Sequence, residues 1–228
     1  MSLASCIADA LLPRFCKVCG RRLSVCEQHL CAVCFLKMPY ITYSKSEASP
    51  AERLLAGETE LVRAASLFRY DKESEYRKVI YHLKYYGHPD VGRALGRLAA
   101  VRLMREDFFA GIDIIVPVPL ARRKQRRRGY NQCDYIASGI SDVTGIPIEK
   151  NAVSRSVSNQ VQAKKGRMQR WSNAEGIFRV RNARLLQGKH ILIVDDVVTT
   201  GSTVYSLMDT VTAAADVRIS VFTLGLSE

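Results

Sequence analysis

The run Ile191-Leu-Ile-Val-Asp-Asp-Val-Val-Thr-Thr-Gly-Ser-Thr203 constrains the fold more than any other part of this 228-residue chain. Ile191 to Val194 is a short apolar block with the character of a buried strand. Asp195 and Asp196 stand at its C-terminal end, and the hydroxyl-rich turn Thr199-Thr200-Gly201-Ser202-Thr203 follows and opens a helix. Successive backbone N–H groups at a helix N-terminus, with hydroxyls around them, suit a phosphate. Gly201 allows close backbone approach. The paired carboxylates can accept hydrogen bonds from neighbouring sugar hydroxyls or bind a hydrated Mg²⁺. Together these parts ask for a ribose 5-phosphate.

A second anion site follows the apolar stretch Asp113 to Pro119. The chain continues as Leu120-Ala121-Arg122 and on to Gln132, and six of the seven residues from Arg122 to Arg128 are basic. A loop leaving a strand and leading into a helix can hold a diphosphate through backbone N–H groups and arginines.

The cysteines are concentrated at the front, six of the seven within the first 34 residues. Cys16-x₂-Cys19 and Cys31-x₂-Cys34 have the spacing of a tetrahedral Zn²⁺ site, with four thiolates and no open position for catalysis. Disulfides are the alternative, disfavoured in a reducing compartment. Cys26 and His29 are nearby substitute ligands, while Cys6 and Cys133 read as ordinary buried thiols. Such a module can contact DNA, dock a protein or staple the fold.

Apolar periodicity places helices at Glu75 to Tyr86, Val91 to Met104, Tyr130 to Val143 and Thr203 to Ala214. Strands are expected at Ala64 to Tyr70, Asp113 to Pro119, Ile177 to Val180, Ile191 to Val194 and Val217 to Leu224. Alternating strands and helices imply an α/β fold with a mostly parallel sheet and ligands at the C-terminal strand ends. Residues 1–44 read as an N-terminal helix and zinc module, and residues 45–228 as the α/β domain. Thr42 to Pro50 reads as a linker, Leu54 to Leu61 is ambiguous, and Ser154 to Asn173 reads as a mobile loop. The net charge of +12 favours anionic partners. No run reaches the ~18 apolar residues of a membrane span. The first thirteen residues lack a basic n-region, so cytoplasmic residence is expected.

The Asp-Asp and Thr-Thr-Gly run resembles the binding motif of type I phosphoribosyltransferases, which recognise 5-phosphoribosyl 1-diphosphate (PRPP). That resemblance assigns Asp195 and Asp196 to the ribose hydroxyls and Thr199, Thr200, Gly201, Ser202 and Thr203 to the 5′-phosphate. It assigns Leu120, Ala121 and Arg122 to the diphosphate. With the cysteine pairs, Pro-Val-Pro-Leu, Arg-Arg-Gly-Tyr-Asn-Gln, Leu83-Lys84-Tyr85 and Gln162-x₇-Arg170-x₂-Asn173-x₄-Phe178, the chain is similar to the ComF (ComFC) family. Members are linked to natural competence and DNA uptake. Gln162, Arg170 and Asn173 would then belong to a flexible loop that folds over PRPP, with Gln169 standing where a Glu is common.

The resemblance implies PRPP as substrate or ligand, Mg²⁺ with it, structural Zn²⁺, single-stranded DNA, and a competence helicase as partner. Neither a base-activating residue nor a nucleobase-reading hood is evident. A metabolic phosphoribosyltransferase for a small amine or nucleobase and a non-catalytic DNA-binding adaptor remain alternatives. Tyr130 and Trp171 are candidate base-stacking residues beside the basic stretches.

Overall fold

The computed structural model describes residues 13–57, 61–155 and 177–227. Gln162, Arg170, Asn173 and Trp171 lie outside the described residues, as does the expected N-terminal helix. The elements run α1 (Ala32–Leu36), α2 (Pro50–Leu55), β1 (Leu61–Arg69), α3 (Arg77–Tyr85), α4 (Pro89–Met104), β2 (Ile114–Pro117), α5 (Arg122–Arg128) and α6 (Gln132–Thr144). They continue with β3 (Val153–Arg155), β4 (Phe178–Val180), β5 (Lys189–Val198), α7 (Ser202–Thr212) and β6 (Val217–Leu226).

β1, β6, β5 and β2 form a four-stranded sheet in that order, every pair parallel. β3 and β4 make a separate antiparallel ribbon. The expected α/β class, a mostly parallel sheet flanked by helices, is therefore the observed one. Along β5 the side chains alternate between two buried clusters. Ile191 and Ile193 join α2 and α7, and Leu192 and Val194 join α3, α4 and α6. A strand buried on both faces reads as a continuous apolar run, which is why this one was visible in the sequence.

Three segments differ from expectation. The basic stretch Arg122 to Arg128 is a short helix, not a loop, because Arg, Lys and Gln are good helix formers. Gly129, left-handed at φ 85°, ends it. The supposed linker is partly built into the fold. Tyr43 and Ser49 are buried, and Ser49 caps α2 in a reciprocal capping box with Glu52. Polar composition concealed this because the capping serine is itself polar. α6 starts at Gln132, two residues later than its apolar pattern suggests, because the Asn131 side chain accepts from the Cys133 N–H and caps it.

The cysteine module does not stand apart. Cys16, Val18, Leu23, Cys31, Cys34 and Met38 belong to the same buried cluster as Val79, Ile80 and Leu83 of α3. The Tyr76 hydroxyl, just before α3, donates to the Cys34 carbonyl at 2.9 Å.

α4 and α6 cross with backbones in near contact. A Cβ placed on Gly139 would lie 2.1 Å from the Arg93 carbonyl oxygen, and one on Gly96 would lie 2.3 Å from that of Ile136. This crossing fixes where α6 begins, and α6 begins at the candidate site. Gly139→Ala should destabilise the fold by about 1–3 kcal/mol, despite the better helix propensity of Ala. A lower urea midpoint at unchanged m-value would show it.

Candidate sugar-phosphate site

β5 carries Asp195 and Asp196 to the C-terminal edge of the sheet, where they are 8% and 4% exposed. Burying two adjacent carboxylates costs several kcal/mol unless each is compensated. Three neighbours do so. Lys84, on α3, pairs with Asp196 Oδ1 at 2.7 Å. Gln132, the first residue of α6, donates from Nε2 to Asp196 Oδ2 at 2.5 Å. Cys133 donates from Sγ to Asp195 Oδ1 at 3.3 Å, and the Asp196 backbone N–H donates to the same oxygen at 2.8 Å.

Burial, and then the charge of Asp196, push the Asp195 carboxyl up to about 6. Burial and both carboxylates also raise the Cys133 thiol, so it stays a neutral donor. Burial alone would lower Lys84, but Asp196 outweighs it and holds the ammonium charged. This edge is a tightly balanced charge cluster, with Lys84 as its cation. Lys84 and Cys133 were not singled out as site residues from the sequence. Lys84 stood in the quoted Leu-Lys-Tyr motif, while nothing local marks Cys133, because only the crossing of α4 and α6 brings it to Asp195.

Thr199 to Thr203 form the turn into α7. Gly201 is left-handed at φ 75°, and a Cβ there would lie 2.9 Å from the Tyr205 ring and 3.0 Å from Leu55, so glycine is required. Together with Asp195 and residues 197–204, this turn lines a small cradle. The first N–H groups of α7 have no intrahelical acceptor, the arrangement that attracts a phosphate.

Leu120 and Ala121 sit between β2 and α5, Arg122 opens α5, and β2 lies beside β5, so both candidate anion-binding segments share one edge of the sheet. Arg122 is exposed. Tyr130 is not free to stack, because its hydroxyl donates to the Leu83 carbonyl at 2.6 Å and its ring packs on Tyr135. A further cavity of about 480 Å³ opens beside Tyr70 at the ends of β1 and β6, and neither Asp195 nor Asp196 lines it.

In the cysteine module the four Sγ atoms of Cys16, Cys19, Cys31 and Cys34 all lie within 4.8 Å of one another. No disulfide joins them. Burial opposes ionisation of Cys16, but the Cys19, Cys31 and Val18 backbone N–H groups bring its thiol down to about 7. Burial and the neighbouring thiols push Cys34 far up. Four sulfurs this close cannot all ionise without a cation, and an all-sulfur tetrahedral set suits Zn²⁺.

Comparison with known proteins agrees with this geometry. Residues 84–223 match the family model for the phosphoribosyl transferase domain. The DNA utilization protein YhgH of Escherichia coli K12 is 35% identical over 129 residues, which covers 55% of this chain and 56% of that protein. The chain thus spans about half the length of the curated relatives it matches first. YhgH of Salmonella typhimurium is 28% identical over 204 residues, 85% of this chain and 88% of that one. Competence protein ComFC of Bacillus subtilis is 29% identical over 92 residues, 40% of this chain and 35% of the relative. Among the described residues no helix is long and apolar enough to cross a membrane.

Two outcomes are expected. Lys84→Met should lower stability by about 3 kcal/mol at pH 7.5, since it strands a buried carboxylate. Asp195 has its folded value raised to about 6 from 3.8, so its ionisation opposes folding increasingly as pH rises between those values and fully above them. The Lys84→Met penalty should therefore shrink at pH 5, as urea titrations at both pH values would show. Second, the isolated protein should carry one equivalent of zinc by elemental analysis. Cys31→Ser should lose most of the metal and some stability with it.

Proposed function

The chain belongs to the phosphoribosyl transferase domain family as a ComF-type member, and from that premise we infer that it binds Mg²⁺–PRPP at the end of β5 in the service of DNA uptake or processing. The carrying observation is the acidic pair at the C-terminal edge of a parallel strand, followed at once by the glycine-bearing turn into α7. Asp195 and Asp196 accept from the ribose 2′- and 3′-hydroxyls, and the N–H groups and hydroxyls of residues 199–203 hold the 5′-phosphate. The segment Leu120-Ala121-Arg122 holds the diphosphate, and Gln162, Arg170 and Asn173 belong to the loop that covers it.

Lys84 has two consequences for this ligand. It pairs with Asp196 and orients its carboxylate before the sugar arrives. It also places a cation beside the acidic pair, where it would oppose the negative charge that grows on the departing diphosphate. Mg²⁺ accompanying the diphosphate would supply charge neutralisation. The zinc module staples the N-terminal segment against α3, the helix that carries Lys84.

The competence and DNA-utilization names of the relatives support a place for this chain in handling DNA. On the family resemblance, single-stranded DNA would be its ligand and a competence helicase its partner. The run of six cations in α5 supports binding to nucleic-acid phosphates.

Calorimetric titration of Mg²⁺–PRPP should show one site per chain. Asp195→Asn/Asp196→Asn should weaken it by more than about tenfold, from lost charge-assisted hydrogen bonds. Wild-type affinity should fall as pH drops below about 6, where Asp195 becomes protonated. Folded, zinc-loaded wild type that takes up no PRPP would refute the reading.

A further inference from the structure

α3 has an unusual outer face. Its inner side, Val79, Ile80 and Leu83, is fully buried. Outside, Tyr81 is 44% exposed, Tyr85 58%, and Tyr86, just past the helix end, 63%. Tyr81 and Tyr85 are one turn apart, so they share a face, and their ring centroids are 5.6 Å apart. Three large exposed rings around one helix end are costly to display without a partner.

Beside this face lies α5, with Arg122, Arg123, Lys124, Arg126, Arg127 and Arg128 and no buried residue. The Arg128 guanidinium lies 5.5 Å over the Tyr85 ring, which joins the two elements into one surface. Arg128 also donates to Gln132 Oε1, and Gln132 Nε2 donates to Asp196 Oδ2 at 2.5 Å. The aromatic surface therefore borders the acidic pair, only two hydrogen bonds away.

We propose that the exposed tyrosines Tyr81, Tyr85 and Tyr86 and the cationic helix α5 form a stacking platform for single-stranded nucleic acid at the mouth of the sugar-phosphate site. The proposal deepens the DNA-handling reading above and rests on it. Unpaired bases stack on the tyrosine rings, which is sequence-tolerant because every base has a π-face, while the strand's phosphates lie along α5. The chemistry selects this partner over others. A duplex keeps its bases stacked inside and offers nothing to the rings. An acidic peptide would use the arginines and leave the rings idle. A lipid surface asks for an apolar stripe on the basic helix, and α5 has none.

Fluorescence anisotropy with labelled oligo-dT and oligo-rU of ~16 nucleotides tests it. Tyr81→Ala/Tyr85→Ala/Tyr86→Ala should bind at least about tenfold more weakly, and the corresponding triple Phe variant about as well as wild type. Arg123→Gln/Arg126→Gln/Arg127→Gln should reduce the slope of log affinity against log salt by about 2. A duplex of the same length should bind more weakly than the single strand. The dT and rU arms distinguish DNA from RNA as the source of the strand. Photocrosslinking of bromodeoxyuridine-substituted strand to wild type, mapped by mass spectrometry, should label Tyr81, Tyr85 or Tyr86. This reading does not depend on any variant folding.

Wild type that binds the strand, with unchanged affinity in the folded triple Ala variant and crosslinks elsewhere, would overturn the platform and leave the DNA reading intact. Equal competition by polyglutamate at matched charge would also overturn it. Wild type that binds no single strand would overturn both, whatever the outcome with PRPP.

Discussion

Two carboxylates buried side by side at the end of a central strand are the constraint around which this molecule is arranged. Left alone, Asp195 and Asp196 would repel each other and lose their hydration, a cost large enough to rival the stability of a small domain. α3 supplies the Lys84 ammonium, and α6 supplies the Gln132 amide and the Cys133 thiol. Each donor arrives from a different element, so the helices must meet the sheet edge in fixed positions. The close crossing of α4 and α6 at Gly96 and Gly139 is how one of those positions is held.

The same compensation makes the edge ready for a polar ligand. Asp196 is paired with Lys84, while burial and the charge of Asp196 push the Asp195 carboxyl up to about 6. The turn of residues 199–203 adds N–H groups and hydroxyls on one side, and the segment after β2 adds a second anion-binding stretch on the other. The polar groups at this edge are thus prearranged, in side chains that already hold one another. Such preorganisation is what separates a binding site from a merely polar surface. The cysteine module bears on this arrangement, because its cysteines share a buried cluster with the inner face of α3.

Much of this was legible in the chain. The β5 run, the acidic pair, the Thr-Thr-Gly turn and the two Cys-x-x-Cys pairs are local patterns whose chemistry survives without knowledge of the fold. The parallel sheet followed from alternating strands and helices, and both faces of β5 are indeed covered. The boundaries were less legible. α6 begins where Asn131 caps it rather than where its apolar pattern starts, and α5 is helical although nothing in it faces a core.

Sequence by itself determined the candidate site, because the acidic pair, the hydroxyl-rich turn and each Cys-x-x-Cys pair are grouped within a few residues of one another along the chain. The tertiary structure alone decided which charges meet. Lys84 and Asp196 are more than a hundred residues apart yet make a 2.7 Å ion pair. Cys133 reads as an ordinary buried thiol until a helix crossing puts it against Asp195. Tyr130, which looks free to stack, is tied to the Leu83 carbonyl, and the exposed rings are those of the neighbouring helix. Periodicity reports which face of an element is buried, but not what that face is buried against. Compensation of a buried charge depends on that second fact, and only the packed fold contains it.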